Sequence, residues 1–242
     1  MRSALVLIST LALAACNMDA DAQENDAAAG PRAQQSFQMA GFDSVSLGGP
    51  YDVEVRVGPA HSVRAEGDAA EMERMEVLVE RGDLKIRRRK DVGGISFGRT
   101  RPVTVYVTLP ALEAASIGGS GDMKIDAVKG SDFAASIGGS GDMRIASLQV
   151  EDAAFSVAGS GTIEAAGTAG RASISIAGSG DVVLGRLRSR TASVSVVGSG
   201  NVTANAAQSA DVSIMGSGDV EITGTAKCSV SKMGSGGVRC GG

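Results

Sequence analysis

The sequence predicts an all-β fold, a right-handed parallel β-helix with coils of about 20 residues. The first observation is a repeat, because Gly-Ser-Gly recurs seven times at spacings of 20, 20, 19, 20, 18 and 18 residues. The copies begin at Gly119, Gly139, Gly159, Gly178, Gly198, Gly216 and Gly234. The second observation is an alternation of apolar and polar residues on both sides of each copy. A unit this short cannot bury its apolar face alone, so we expect the copies to stack.

The alternation around each copy has the period of a β-strand. Serine stands three residues before the first glycine in every repeat, and an apolar residue follows that serine in all but the last. After the glycines, Met143 and Ile145 flank Arg144, and most other repeats keep this order. Each repeat is therefore predicted to be two short strands joined at Gly-Ser-Gly, with a second, less regular turn. A β-propeller fits less well, because each blade needs about twice this length.

One elongated domain, residues 37–242, is expected after an export signal and a tether. Residues 37–112 are predicted to form irregular first coils, and residues 113–242 the seven repeats. Alternation predicts strands over 51–57 and 103–109, and a short helical turn over 68–75. The chain has no Trp, two Tyr and five Phe, so we expect a narrow core of Val, Ile, Ala and Met. A net charge of −4 argues against nucleic acid as a partner.

Residues 1–15 have the pattern of a bacterial lipoprotein signal. Arg2 precedes an apolar run, and Leu-Ala-Ala leads to Cys16 in the order of a lipobox, in which the cysteine is acylated after cleavage. The alternative is an ordinary signal peptide that Cys16 follows by chance. Residues 16–36 are polar and predict a disordered tether. Asn17 favours an outer-membrane lipoprotein of the cell envelope, anchored by its lipid and facing either the periplasm or the cell surface.

Several features of the sequence occur together in a fixed order. A pattern that opens at Phe42 continues to Gly-Asp-Leu-Lys-Ile at 82–86, and Leu-Pro-Ala-Leu at 109–112 precedes the serial Gly-Ser-Gly-Asp units. This combination resembles the bacterial head-GIN domain family, whose members are proposed to be auto-transporter adhesins. The resemblance covers nearly everything after residue 36. It implies a β-helical envelope protein with an adhesive role, and it supplies no catalytic residues.

The residue after Gly-Ser-Gly is acidic in four repeats, at Asp122, Asp142, Asp181 and Asp219. A column of carboxylates is a candidate calcium site, as in the glycine-rich repeats of secreted toxins. Those repeats have a period of nine residues, and here Thr162, Asn201 and Gly237 interrupt the column. The alternative is that the aspartates cap turns by accepting hydrogen bonds from nearby backbone amides, and the sequence favours it.

Serine fills two columns, three residues before and one residue after the first glycine. Short hydroxyl side chains tolerate close stacking and suit a solvated sheet face, which is the structural interpretation. The functional interpretation is a flat docking surface for a sugar polymer, another envelope protein or another rod. The sequence favours the structural one.

One dense basic cluster precedes the repeats. Its members are Lys85, Arg87, Arg88, Arg89 and Lys90. Near a membrane such a cluster can bind anionic lipid head groups or an anionic glycan. The alternative, which we weight more heavily, is a solvated sheet edge whose charges deter unwanted strand pairing.

Two cysteines lie in the last repeat, six residues before and six after Gly234. Cys228 and Cys240 both occupy positions that point inward in the other repeats, so we expect them to face each other across the last coil. The envelope outside the inner membrane is oxidising, so a disulfide is predicted there. A metal site is the alternative, but it lacks further ligands, and the sequence predicts no cofactor.

Few residues of the sequence are candidates for catalysis. His61 is the single histidine, and no serine stands in a Gly-x-Ser-x-Gly nucleophile elbow. The sequence therefore predicts a non-enzymatic envelope lipoprotein, an adhesin or a structural scaffold that presents a repetitive β-helical surface. One alternative is a binding module for anionic glycan or lipid head groups. The other is a β-helix enzyme that cleaves acidic polysaccharides with Asp, Lys and Arg alone, and it is the least favoured.

Overall fold

The computed structural model describes residues 31–89 and 102–241. Within these ranges the chain forms eighteen strands and one short helix, and the strands belong to one continuous hydrogen-bonded system. The strands of the first part are β1 (Arg32–Phe37), β2 (Ser44–Gly48), β3 (Asp52–Val57), β4 (Ser62–Asp68), β5 (Met75–Glu80), β6 (Asp83–Arg88) and β7 (Thr104–Leu109), with helix α1 (Ala69–Glu73) between β4 and β5. Those of the repeats are β8 (Ala114–Ile117), β9 (Met123–Ile125), β10 (Val128–Lys129), β11 (Asp132–Ile137), β12 (Met143–Gly159), β13 (Thr162–Gly178), β14 (Asp181–Gly198), β15 (Val202–Gly216), β16 (Val220–Thr223), β17 (Lys227–Met233) and β18 (Val238–Cys240).

The repeats stack as parallel coils, which confirms the predicted parallel β-helix. Each coil has three sides. Side A contains the serine strand before Gly-Ser-Gly, where Ser136, Ser156 and Ser175 are in register. Side B contains the strand after it, where Ile125 and Ile145 are in register. Side C is a short strand that begins with β10 and pairs Val128–Lys129 with Leu148–Gln149. The sequence predicted only a turn where side C lies.

The core is a narrow column of inward side chains. Side A contributes the residue two before the first glycine, and side B the residue four after it. From side A the buried residues are Ile117, Ile137, Val157, Ile176, Val196 and Ile214, and from side B they are Met123, Met143, Ile163, Val182, Val202 and Val220. The aliphatic core predicted from the composition is therefore present. Three aromatic side chains, Tyr51, Phe133 and Phe155, are also fully buried.

The Gly-Ser-Gly corners stack so closely that both glycines are required. A Cβ on Gly161 would lie 2.1 Å from the carbonyl oxygen of Gly141. A Cβ on Gly159 would lie 2.2 Å from the carbonyl oxygen of Gly139, and Gly159 also has φ +152°. Side chains are thus excluded by the backbone of the preceding coil, which explains why the motif marks every coil of the repeat region.

A cap closes the N-terminal end of the rod. Strands β2 and β3 pair in parallel with β8 and β9, so they form the first coil of the stack. Beyond them, β6 and β7 continue the stack, and β4 and β5 then pair with them in the antiparallel direction. The predicted helical turn is α1, whose N-cap Asp68 accepts hydrogen bonds from the amides of Ala70 and Glu71. Met72 of α1 and Met75, the first residue of β5, are both buried.

The predicted tether, residues 16–36, includes residues that form a strand. Residues 32–36 belong to β1, which pairs with β4 from Arg32 opposite Asp68 to Phe37 opposite Val63. Main-chain hydrogen bonds hold this polar strand at the edge, and only Ala33 and Phe37 pack against the core. A polar composition therefore did not indicate disorder here. The predicted signal, Cys16 and the rest of the tether lie outside the described residues.

Candidate functional site

A row of outward side chains runs along side B from the cap into the repeats. Each member is in register with the next, one strand further along the rod. The row is Tyr106, Glu54, Lys124, Arg144, Glu164 and Val183. Neighbouring members are about one strand spacing apart, roughly 4.8 Å. Side B therefore presents four charged groups in succession, from Glu54 to Glu164, between Tyr106 and Val183.

A shallow groove of about 520 Å³ lies beside this row, where side B turns into side C. We call it the side-B groove. The buried Ile125 and Ile145 belong to its lining, together with the small side chains of Ala146 and Ala166. The pairing register shifts at this corner, between Ile145 and Leu148 in one coil and between Glu164 and Ala166 in the next. Small residues at an irregular corner leave the depression open to solvent.

The charged lining of the groove consists of four cations and three carboxylates. Arg144 donates to Glu164 at 3.0 Å, and Arg186 also donates to Glu164, so two guanidinium groups share one carboxylate. These arginine side chains are 70% and 74% exposed. Lys124 and Arg56 also line the groove, and neither has a carboxylate within 4.0 Å among the described residues. The groove thus has an excess of one positive charge, four cations against three carboxylates, on a chain of net charge −4.

The acidic groups of the groove are partly occupied by the backbone. Asp126 accepts hydrogen bonds from the amides of Val57, at 3.1 Å, and Ala127. Glu54 is the neighbour of Lys124 in the row. The carboxylate of Asp126 therefore serves the corner between two coils, and it is turned toward main-chain donors.

The basic cluster, for which anion binding was the less favoured interpretation, is largely paired within the cap. Lys85 donates to Glu80 at 2.6 Å, and Arg87 donates to Glu76 at 2.8 Å. The hydrogen bond and charge of Lys85 hold the pKa of Glu80 below its usual range. Likewise, the hydrogen bond and charge of Glu76 raise the pKa of Arg87. These pairs join β6 to both ends of β5, and they give two of the cations a structural role.

The other members of the cluster differ. Arg88 lies 3.7 Å from the nearly buried Glu71 of α1, so it also pairs within the cap. Arg89 is exposed at the end of the described segment. Lys90 lies outside the described residues. Anion binding by this cluster stays a prediction.

The aspartate column forms a ladder between coils. The amide of Asp142 donates to Asp122 Oδ1 at 2.9 Å, and the amide of Thr162 donates to Asp142 Oδ1 at 2.9 Å. Asp181 and Asp219 accept in the same way from the next coil, at 2.9 and 2.7 Å. The aspartate side chains thus accept hydrogen bonds from backbone amides, the interpretation that the sequence favoured, although each donor is the equivalent residue of the following coil. In the ranges 31–89 and 102–241, no three His, Cys, Asp or Glu side chains group as a metal site requires.

The serine face lies outward on side A. At the cap, Ser116 donates to Ser46 at 2.8 Å, and Ser46 in turn donates to Asp83. In the later coils the serines of this column are exposed. Toward the C-terminal end, Met215 and Met233 are in register and are 55% and 68% exposed. Side A therefore ends as a flat, small-residue surface with an apolar edge.

The last coil contains the disulfide that the sequence predicted. Cys228 and Cys240 are bonded, with 6.4 Å between their Cα atoms. Cys228 is half-buried and Cys240 is exposed, because no further coil covers them among the described residues. Lys232 pairs with Ile214 and so occupies an inward register position, yet it is exposed at this open end.

His61, the single histidine of the chain, has a packing role. Its Nε2 lies 2.9 Å from the carbonyl oxygen of Phe42, and its ring packs edge-on against the Phe42 ring with centroids 4.6 Å apart. The side-B groove residues were only partly visible in the sequence. The alternation marked Lys124 and Arg144 as outward-facing, but Arg56 and Arg186 come from corners that carry no motif.

Comparison with known proteins identifies the family. The family model described as "Putative auto-transporter adhesin, head GIN domain" matches residues 41–226. The chain belongs to this family. The resemblance seen in the sequence is therefore confirmed, and the match spans the cap and all but the last coil of the head GIN domain. No curated protein matches the chain.

Solved structures share the fold of this head GIN domain. One is described as a "putative adhesin" from Bacteroides fragilis, with a TM-score of 0.78 and 22% identity over 86% of this chain and 96% of that one. Another, from Parabacteroides distasonis, is described as a "putative lipid binding protein", with a TM-score of 0.69 and 25% identity over 87% and 97%. A "putative adhesin" from Parabacteroides merdae has a TM-score of 0.65 and 15% identity over 87% and 97%.

Proposed function

We propose that this protein is a non-enzymatic lipoprotein of the cell envelope that acts as an adhesin or as a structural scaffold. The observation that carries the proposal is the rod itself, whose outward side chains repeat in register along sides A and B. Such a surface suits an extended partner, because it offers the same contact once per coil. The family description as auto-transporter adhesins agrees with this role.

The lipid anchor is part of the proposal. Cys16 at the end of a signal-like segment supports acylation, and Asn17 after it supports the outer membrane. None of the helices that the structure describes is long and apolar enough to cross a membrane. In this proposal the acylated Cys16 attaches the rod to the envelope.

Protease shaving of intact cells tests the adhesive form of the proposal. For an adhesin we expect loss of the rod on intact cells while a periplasmic marker is spared. Replacement of Cys16 by Ala should release the protein from the membrane fraction. Protection of the rod until the outer membrane is opened would contradict adhesion and leave the periplasmic scaffold. Digestion of the purified protein is the control, because a folded β-helix can resist protease.

The second candidate is binding to anionic lipid head groups. Two observations favour it: the similar protein described as lipid binding, and the exposed Arg89 beside the cap. Vesicles of anionic and zwitterionic lipid would separate the two functions. Binding to anionic vesicles that weakens with salt and on Arg89→Gln would support this candidate. Equal binding to both vesicle types would contradict it.

A further inference from the structure

We propose that the side-B groove binds a linear polysaccharide that carries a carboxylate on successive sugars. Lys124, Arg144 and Arg186 are its cationic contacts. The inference deepens the proposed adhesin function, and rests on it, by naming the class of ligand that the rod recognises. It also assigns that recognition to side B, away from the basic cluster at 85–90.

The geometry of the groove favours a chain over a compact ligand. The groove follows the rod axis across successive coils, from Glu54 in the first coil to Arg186. Neighbouring coils are about 4.8 Å apart, which is close to the length of one sugar in an extended polysaccharide. Two successive carboxylates of such a ligand would therefore lie against Lys124 and Arg144, which are one coil apart.

The charges favour a carboxylate on that chain. Lys124 and Arg144 are one coil apart in the row, and Arg186 faces the same carboxylate, Glu164, as Arg144 does. A guanidinium presents a planar pair of donors that matches a carboxylate. In the structure each arginine donates one hydrogen bond to Glu164, and both side chains remain largely exposed with further donors available. A ligand carboxylate would bind beside Glu164.

The lining supplies the apolar contact that a sugar ring needs. Ala146 is exposed in the groove and Ala166 is half-buried, whereas Ile125 and Ile145 lie beneath them in the core. A pyranose has apolar C–H faces between its polar edges, so its face can pack on the methyl groups of Ala146 and Ala166 while its carboxylate reaches the rim. Lipid head groups present phosphate at a membrane plane and have no such ring faces in a chain.

The binding test uses the mature full-length protein and oligogalacturonate of six sugars, measured by isothermal titration. We expect binding that weakens about tenfold when salt is raised from low to several hundred millimolar, because exposed charges are screened. Lys124→Gln and Arg144→Gln should each weaken binding about fivefold, the upper range for one exposed charge contact. Arg171→Gln is the matched control, since Arg171 is an exposed arginine paired with Asp152 on side A, and it should change nothing.

A second variant gives the opposite sign. Glu164→Gln removes the carboxylate that competes for Arg144 and Arg186, so we expect oligogalacturonate to bind about fivefold more tightly. A purely structural role of Glu164 would not produce tighter binding. All these side chains point outward from regular strands, and circular dichroism would verify that the variants fold as the parent does.

Four results would overturn the inference: no binding of oligogalacturonate, equal binding of a neutral maltohexaose, equal loss in Arg171→Gln, or binding to anionic vesicles alone. Attachment of intact cells reports separately on the proposed function. If cells adhere through this protein but it does not bind oligogalacturonate, the proposed ligand is wrong and the adhesin function stands. If it binds oligogalacturonate but is found only in the periplasm, the ligand stands and the adhesin function is wrong.

Discussion

At the scale of single residues, the second glycine of each corner leaves no room for a side chain. A Cβ on Gly161 would meet the carbonyl oxygen of Gly141 at 2.1 Å and a methyl of Ile137 at 2.9 Å. Backbone atoms cannot step aside as a flexible side chain can. We therefore expect Gly161→Ala to lower the free energy of unfolding by about 2–3 kcal/mol, measured by urea denaturation.

Gly130 provides the matched control for this prediction. A Cβ there would meet nothing closer than the Asp132 carbonyl oxygen at 3.9 Å, and Gly130 does not have a positive φ. Gly130→Ala should be neutral or stabilise the protein by up to about 1 kcal/mol, because alanine restricts the unfolded chain. Equal losses at Gly130 and Gly161 would show that the corner stack does not explain the motif.

The aspartate ladder makes a second prediction at this scale. Asp142 Oδ1 accepts from the amide of Thr162, and Asn201 Oδ1 accepts from the amide of Asp219 at 3.1 Å in the same column. The oxygen is therefore what the position requires, and the charge is dispensable. Asp142→Ala should cost about 1 kcal/mol of unfolding free energy, and Asp142→Asn close to none. A large loss in the Asn variant, measured by thermal unfolding, would instead indicate a role for the charge.

At the scale of elements, the disulfide secures a coil that, within residues 31–89 and 102–241, pairs with a neighbouring coil on one side only. Strand β17 pairs with β15, and β18 pairs with β16. The bond joins these two strands across 12 residues of sequence. Reduction should make opening of this coil easier by about 2–3 kcal/mol, because it restores the freedom of the loop. Hydrogen exchange of β17 and β18 should then accelerate while β13 stays protected. Equal acceleration in both regions would mean that the rod unfolds as one unit.

The elements also differ in how well the sequence predicts them. Side A and side B have strict alternation beside an invariant corner, so both could be predicted. Side C is only a few residues long in each coil, as at Val128–Lys129, and such a segment has no detectable period. The edge strand β1 is polar because it contributes hydrogen bonds more than burial, so its composition is that of a tether. A strand that is held mainly by main-chain hydrogen bonds therefore cannot be recognised from its amino-acid composition.

At the scale of the whole molecule, the candidate site depends on how the coils meet. The alternation indicates that Lys124 and Arg144 face outward, and the repeat places them one coil apart. The groove beside them arises from register shifts at the corner between sides B and C. Arg56 also lines the groove, although strands β4 to β7 separate it in sequence from the repeats. Such proximity comes from topology, and the sequence pattern alone does not reveal it.

The two ends of the rod differ, and the difference leads to a prediction about self-association. The cap covers the first coil, whereas β17 leaves an open edge on which Val230 is 49% exposed. Lys232 stands on this edge at the register position that Ile214 fills one coil earlier. A lysine there places a charge where an apolar residue would invite a second copy to stack, and edge lysines are a known means of preventing strand pairing.

We therefore expect Lys232→Ile to promote tail-to-tail association, with the open edges of two copies paired about a twofold axis. The measurement is sedimentation velocity over a range of protein concentrations, with the parent protein beside the variant. Lys227→Ile is the control, because Lys227 is exposed on the same strand and pairs with Ser209, outside the column of core positions. Association of Lys232→Ile well beyond that of Lys227→Ile would show that Lys232 protects the end. Equal behaviour of the two variants would show that surface apolarity alone governs association, and that the inward register position of Lys232 has no protective role.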